Sequence, residues 1–455
     1  MTNWLPQLDK HTGPAYLAIV AELEAAIATG RLRPGDRLPT HRLLADLLGF
    51  NVSTVTRAYR EAERRHLIGG EIGRGTYVLG RAAAGSLFAL TGRAADTDAR
   101  RFHIDLSTNT PPSLPRREDF SPALAALDSA NGLERFLDYP GVSEWLLLRS
   151  AAVAWLARRG LTAEPERLLV TAGAQHALAT VLGWLAGENE IAVEALTYPG
   201  IHMLAHERGW RLTPLALDAE GIRPEALEAA CRAGRRLFVV SPSLQNPTGA
   251  TMGEKRRREI VWLLQRYDAF AVEEDVYGLL GDVKLPPLAA LAPEHVVYVT
   301  GLSKTVAPGL RIGFVVLPPA LAKRIQDAEH QTRWYVAPLM AAVAQRWIAD
   351  GTALARLDMQ RCELAARWKL VSQILGDQNC RGWPGPHLWL ALGSAQRARR
   401  IAEALEREGI RVVTGEAFAL HKEGAPAGLR ISIGAAPNRT LLREALCEIA
   451  LQLQV

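Results

Sequence analysis

The sequence predicts a multi-domain chain. A small, mainly α N-terminal module with a helix-turn-helix and a β wing precedes a larger α/β domain that ends in a smaller C-terminal lobe. Three observations carry this. A length of 455 residues exceeds what one compact core organises. The first eighty residues hold three helix-like segments punctuated by Gly and Pro, then a Gly-rich hairpin. From about residue 103, short apolar runs alternate with helical stretches, the pattern of a parallel sheet with crossover helices.

Composition narrows the function classes. At 48% hydrophobic and 22% charged, the chain reads as globular rather than disordered or membrane-embedded. Every apolar run is broken by Arg, Asp or Gly short of a membrane span, and "MTNWLPQLDKHTG" lacks the charged start and apolar core of a signal peptide, so a cytoplasmic location is expected. Cys231, Cys362, Cys380 and Cys447 are scattered without metal spacing, and no metal is expected. From Arg31 to Arg81, ten arginines stand against five acidic residues, so this short segment carries the whole net charge of +5. Such a patch is the electrostatic footprint of binding to a phosphate backbone.

The N-terminal module is built element by element. In "YLAIVAELEAAIATG", Tyr16, Ile19, Val20, Leu23 and Ile27 recur at helical spacing, and Gly30 ends the helix. "RPGDRLP" is a turn, and "THRLLADLLG" is a short helix with Thr40 as N-cap. Gly49 allows a tight turn into a third helix, "VSTVTRAYREAERRHLI", capped by Ser53 or its neighbour. Helix, Gly turn, helix is the layout whose second helix can lie in a major groove, and "GGEIGRGTYVLG" supplies a wing. On "GRLRPGDRLPTHRLLADLLG", "STVTRAYREAERRHLI" and "GRGTYV" the module, residues 12–80, resembles the winged helix-turn-helix of GntR-type regulators. The resemblance implies a double-stranded DNA operator as partner. It implies contacts from Arg42, from Ser53, Thr54, Thr56 and Arg57 on the recognition helix, and from Arg74, Gly75 and Thr76 on the wing. Val52 departs from it: the family usually has a polar or Arg residue there, and a valine cannot donate to a base edge, though it can touch a thymine methyl. The Ala-, Gly- and Arg-rich residues 81–102, with a short apolar piece from Leu87 to Leu90, read as a linker.

In the large domain the apolar runs end in polar residues, and in α/β sheets ligands gather at the carboxyl ends of the strands. Lys304, following "HVVYVTG", is placed to form a Schiff base with an aldehyde cofactor. Asp275, ending "AFAVEED", can pair with a pyridinium nitrogen. Asn246 and Tyr277 can hydrogen-bond a ring phenolate, and Tyr198 can stack on the ring. Backbone N–H groups of Gly173, Ala174 and Gln175 at a helix start can cradle a phosphate, with Ser303 and Arg311 adding a hydroxyl and a guanidinium. Taken singly, each residue has a plainer reading: a solvated lysine, an N-cap, a surface ion pair, a turn. Their joint order along the chain is what points to one site.

On "TAGAQHAL", "EALTYPG", "LQNPTG", "EEDVYG", "SKTVAPGLRIGF" and "LRISIG", residues about 138 to 434 resemble fold-type-I pyridoxal 5′-phosphate enzymes, specifically class I/II aminotransferases. The resemblance implies pyridoxal phosphate as cofactor. Lys304 would carry the internal aldimine, Asp275 the ring nitrogen, Asn246 and Tyr277 the ring oxygen, and Arg430 a substrate or effector carboxylate. It implies a large domain over 103–325 and a smaller lobe over 326–455, and it gives Tyr139 the part of a partner-subunit tyrosine reaching the phosphate. Arg333 and Trp334 either line the pocket or pack between lobes, and the Asn246–Pro247 bond is a candidate for cis. Gly301 stands where the family often has a phosphate-binding Ser, with Thr300 a substitute only if the turn shifts, and His176 stands where it often has Gln.

The two halves together are similar to the MocR subfamily of GntR-type transcriptional regulators. That resemblance implies a homodimer, head-to-tail through the aminotransferase-like domains, whose DNA heads read two half-sites. It implies that the cofactor domain senses a small amine or amino acid, or pyridoxal phosphate itself. The other reading is a genuine aminotransferase with a DNA-binding appendage, and the sequence leaves turnover open.

Overall fold

In the computed structural model the described residues are 4–6, 14–28, 31–32, 36–64, 67–71, 75–78, 103–113, 119–139, 142–186, 190–281, 284–322, 336–376, 380–421 and 426–454. The expected linker 81–102, with Leu87 to Leu90, lies outside them, as do Arg74, Arg333 and Trp334. The chain divides into two compact units, Met1–Arg93 and Ala94–Val455.

The first unit holds α1 (Ala15–Ala28), α2 (His41–Leu48), α3 (Val52–Arg64) and an antiparallel hairpin of β1 (Ile68–Glu71) and β2 (Gly75–Val78). Thr40 caps α2 by accepting from Leu43 N at 3.3 Å, and Gly49 closes it at φ +69°, a conformation glycine adopts without strain. The third helix begins at Val52, as the sequence suggests, but its cap lies two residues before the expected Ser53. Asn51 precedes it and its carbonyl accepts from Thr54 N and Val55 N, which puts Ser53 inside the first turn rather than at the cap. Ile19, Val20, Leu23, Leu44, Val55, Ala58, Ile68 and Val78 close one small core. Tyr59 is buried in it and satisfies its hydroxyl by donating to Pro39 O at 2.8 Å.

The second unit is organised on a seven-stranded sheet. Its strands are β3 (Leu168–Thr171), β4 (Glu190–Glu194), β5 (Arg211–Leu215), β6 (Leu237–Val240), β7 (Phe270–Glu274), β8 (Val296–Gly301) and β9 (Gly313–Val316), in the order β3-β9-β8-β7-β6-β4-β5. Side chains alternate between two buried faces. Val170, Ala192, Phe238, Ala271, Tyr298 and Phe314 fill one core, and Leu169, Val193, Val239, Val272, Val297 and Val315 the other. The expected all-parallel sheet is corrected in one place: β9 runs antiparallel to both β8 and β3. The stretch between Gly301 and Gly313 holds the lysine turn and is too short for a crossover helix, so the chain can only return antiparallel.

Around the sheet lie α4 (Val142–Ala157), α5 (Ala174–Leu185), α6 (Pro199–Arg208) and α7 (Glu254–Arg266). α8 (Pro338–Ala349) packs on α4, and its buried Ala341, Val343, Ala344 and Trp347 share the core of Val170 and Phe238, as do Ala353, Leu357 and Leu364 of α9 (Thr352–Leu375). The C-terminal part of the chain adds the end of α9, α10 (Ala395–Arg407), α11 (Arg439–Gln454) and a four-stranded antiparallel sheet. Its core, including Trp368, Leu388, Ile401, Leu429 and Ile449, also takes in Ile104 and Leu106. Ile104–Asp105 pairs in parallel with Ile410–Arg411, and this fixes where residues 107–110 enter the site. Among the described residues no helix is long and apolar enough to cross a membrane.

Candidate functional site

The carboxyl ends of β3, β4, β6, β7 and β8, and the start of the reversed β9, meet at one edge of the sheet. Gly173, between β3 and α5, has φ +88° and is the N-cap of α5. A Cβ there would lie 2.9 Å from Arg311 Nη2, so the guanidinium packs directly on the start of the helix. Arg311 Nη1 donates to Ser303 Oγ at 3.3 Å. The first N–H groups of α5, the Ser303 hydroxyl and Arg311 therefore converge as an anion cradle. Gln175 Nε2 donates to Gly200 O at 3.1 Å, linking α5 to the start of α6. Gly301 borders the same cradle: a Cβ there would sit 3.6 Å from Ala174 N and 3.1 Å from Ile312 O. Thr300 does not take over its place, since its buried hydroxyl donates to Asp275 O at 2.9 Å. His176 turns inward, and its Nδ1 accepts from Ala172 N at 3.1 Å.

Lys304 is half-buried, and its Nζ donates to the carbonyl of Asn109. Burial, with Arg430 and Arg311 nearby and Glu274 opposing them, lowers its amine to about 8. Asn109 was not foreseen from the sequence, yet it is a hub. Its amide donates to Tyr277 Oη at 2.7 Å and to His387 Nδ1 at 2.9 Å, and its Oδ1 accepts from Ser432 Oγ at 3.2 Å. The fully buried His387 in turn donates from Nε2 to Gln245 O at 3.0 Å, and burial pushes its ring down to about 3, so it is neutral. Arg430 donates to Ser107 O and, at 3.4 Å, to Asn246 Oδ1, while its Nε is buried with no partner among the described residues. Burial lowers its guanidinium to about 10. The Asn246–Pro247 bond is cis. Tyr198 is half-buried with Glu274, Tyr277 and Arg311 as neighbours, and burial raises its hydroxyl.

Asp275 sits just beyond β7. Its Oδ2 accepts from Arg159 Nε at 2.7 Å and from Tyr298 Oη at 2.9 Å, whereas Oδ1 is buried and unpaired among the described residues. Gly278 is required beside it, since a Cβ would fall 2.2 Å from Oδ1 and 2.4 Å from Arg159 Nε. An acceptor left open in this way suits a protonated ring nitrogen. With Tyr277 and Asn246 near Arg430, Lys304 within the same network and the anion cradle at α5, the donor set fits a phosphorylated pyridine aldehyde.

Three further carboxylates surround this floor. Glu194, ending β4, accepts from Ser241 N at 3.0 Å and Gln245 Nε2 at 2.8 Å, and burial raises it to about 8. Gln245 passes this anchorage to the "NPTG" turn by accepting from Thr248 N at 2.9 Å. Glu273 caps the short helix Leu288–Leu291 through two backbone N–H groups and is raised to about 7 by burial and then by Asp275. Glu274 faces Lys304 and is likewise raised to about 7, mainly by burial. The rule that found Asp275, a polar residue at the end of an apolar strand, also points to Glu194 and Glu274.

In the first unit Arg42, Ser53 and Arg57 are exposed and Thr54 and Thr56 half-buried. Arg57 lies over the Tyr16 ring at 4.0 Å, and Thr56 Oγ1 is 3.3 Å from His41 Nδ1. Val52 stands exposed at the start of α3. Gly75 begins β2, and the carbonyl of half-buried Thr76 accepts from Leu38 N at 2.8 Å. Tyr139, in the second unit, is 80% exposed.

Residues 103–449 match the family of class I and II aminotransferases, and residues 15–78 match the gntR family of bacterial regulatory proteins. An uncharacterized HTH-type transcriptional regulator of Bacillus subtilis, YdeF, is 29% identical over 98% of this chain and 95% of its own. The vitamin B6 salvage pathway transcriptional repressor PtsJ of Salmonella typhimurium is 29% identical over 90% and 91%. The probable rhizopine catabolism regulatory protein MocR of Rhizobium meliloti is 28% identical over 87% and 83%. Among solved structures, an archaeal alanine:glyoxylate aminotransferase shares the fold with a TM-score of 0.71 at 22% identity, covering 81% of this chain and 95% of that one. The chain belongs to the class I and II aminotransferase family, fused behind a gntR-family helix-turn-helix in the arrangement of the MocR-type transcriptional regulators.

Proposed function

We propose that this protein is a pyridoxal 5′-phosphate-dependent transcriptional regulator of the cytoplasm, in which the aminotransferase-like domain senses a small amino compound and alters operator binding by the winged helix. The observation that carries the reading is a full set of cofactor-binding groups, Lys304 and the open Asp275 Oδ1 among them, in one chain with a gntR helix-turn-helix. Bound there, pyridoxal phosphate supplies an aldehyde carbon for exchange between amines and an electron-withdrawing ring. The chain's own residues do the rest. α5, Ser303 and Arg311 would hold the phosphate, Asp275 the ring nitrogen, and Tyr277 with Asn246 the ring oxygen, and Tyr198 would offer its face to the ring. A lysine amine lowered to about 8 keeps a sizeable neutral share near pH 7, which suits it both to attach and to be displaced. Arg430, buried and with Nε unpaired, suits a carboxylate on the incoming amine.

Such a ligand shifts operator affinity only through different affinities for two conformations of the chain. A head-to-tail homodimer would present two DNA heads to two half-sites, and the exposed Tyr139 would reach the partner's phosphate site. Within this class the cofactor itself can be the signal, a variant favoured by the vitamin B6 salvage role in the name of PtsJ. Titrating the loaded protein with amino acids while following the cofactor's visible absorbance separates the two. A change with one carboxylate-bearing amine supports the amine sensor; no change with any amine, together with cofactor-dependent operator binding, supports the cofactor sensor. Sustained product formation from an amino donor and a keto acid would instead establish the aminotransferase with a DNA-binding appendage.

A further inference from the structure

We propose that Arg159 and Tyr298 weaken the hold of Asp275 on the ring-nitrogen proton of bound pyridoxal phosphate, so that the domain retains an amine reversibly rather than converting it. The proposal rests on the reading that this cofactor occupies the Lys304 site.

The geometry is specific. Arg159 Nε and Tyr298 Oη both donate to Oδ2 of Asp275, at 2.7 and 2.9 Å, and the Arg159 and Asp275 side chains are 1% and 0% exposed. Every arm of the guanidinium is engaged, since Nη1 donates to Leu285 O at 2.5 Å and Nη2 to Ser243 Oγ at 3.0 Å. Arg159 therefore cannot swing away, and a buried arginine does not give up its proton. Arg257 stands behind it, donating to the same Ser243 Oγ at 2.9 Å, with Glu273 on the Asp275 side and Glu274 toward Lys304. The carboxylate that must hold a pyridinium thus already shares its charge with a fixed cation and a hydroxyl. A third donor at Oδ1 meets a weaker acceptor than a free carboxylate would be. The ring then withdraws electrons less strongly, which leaves amine exchange intact and slows the proton removal that conversion needs. Arg159 and Tyr298 touch neither the aldehyde nor the amine; they are positioning residues acting through Asp275.

The test uses the full chain loaded with 15N-labelled pyridoxal phosphate and follows the ring-nitrogen resonance against pH. Tyr298→Phe removes one donor with little change of shape, and Arg159→Gln removes the cation. The ring-nitrogen midpoint is expected to rise by about one pH unit in Tyr298→Phe and further in Arg159→Gln. If Arg159→Gln does not fold, Tyr298→Phe carries the result. Affinity for an analogue with C–H in place of the ring nitrogen should be the same in Tyr298→Phe as in the parent. An unmoved midpoint in Tyr298→Phe, or an equal change in affinity for cofactor and analogue, overturns the proposal. Borohydride reduction of the loaded parent followed by peptide mapping separates the two levels. No label on Lys304 brings down the functional reading and this inference with it; a labelled Lys304 with an unmoved midpoint brings down the inference alone.

Discussion

At Asn109 a single side chain ties the N-terminal segment of the second unit to Tyr277, the neutral His387 and Ser432. Asn109→Ala leaves two buried partners short of a donor, so the cofactor-free protein should lose roughly 1–3 kcal/mol in denaturant unfolding and bind cofactor more weakly. Lys304 gives a kinetic expectation. Only the neutral amine attacks an aldehyde, and its midpoint is near 8, so the rate of cofactor loading should climb roughly tenfold per pH unit below that value and level off above it. The absorbance change on mixing measures this. The placement of Lys304, Asp275 and Tyr277 just beyond strand ends was legible in the sequence. It was not legible for Asn109 or Arg159, which reach Tyr277 and Asp275 across 168 and 116 positions of chain. No local pattern encodes such pairings; only the folded sheet and the 104–105 pairing to the small lobe create them.

Among the elements, the turn into α5 decides whether an anion can be held. Gly173 combines φ +88° and ψ 169°, a region essentially only glycine occupies, with contact to Arg311, so Gly173→Ala adds backbone strain of about 1–3 kcal/mol and pushes the guanidinium off the cradle. Cofactor affinity should fall by more than about tenfold, measured by absorbance titration, while the far-UV signal of the fold is retained. The three helices and wing of the first unit were readable because caps and glycines punctuate them, as Thr40 and Gly49 do. The cap of α3 falls on Asn51, two residues before the expected Ser53, because Asn and Ser both suit that place and local sequence does not choose between them. The reversal of β9 escaped a reading based on strand–helix alternation, since only the short Gly301–Gly313 span betrays it.

Across the second unit as a whole, buried acids set a pH dependence of stability. Glu194 is raised to about 8 and Glu273 and Glu274 to about 7, so the folded state holds protons that the unfolded chain releases near pH 4.5. Their contribution is complete below that pH and is lost as pH climbs through 7 to 8. His387 has the opposite sign: depressed to about 3, it contributes above its ordinary value of 6.5, and that contribution is lost as pH falls toward 3. The thermal midpoint of cofactor-free protein should therefore drop between about pH 6 and about pH 9, and the drop should be smaller in Glu194→Gln. In the proposed function Lys304 is the point at which a ligand of the second unit acts on the arginine-rich helix-turn-helix. The most direct measurement is operator affinity, by footprinting the DNA upstream of the chain's own coding sequence at fixed salt, for the parent and Lys304→Ala, with and without pyridoxal phosphate and candidate amines. Cofactor or amine is expected to change the parent's footprint and to leave that of Lys304→Ala unchanged. Identical responses from the two proteins would contradict a sensor that works through Lys304.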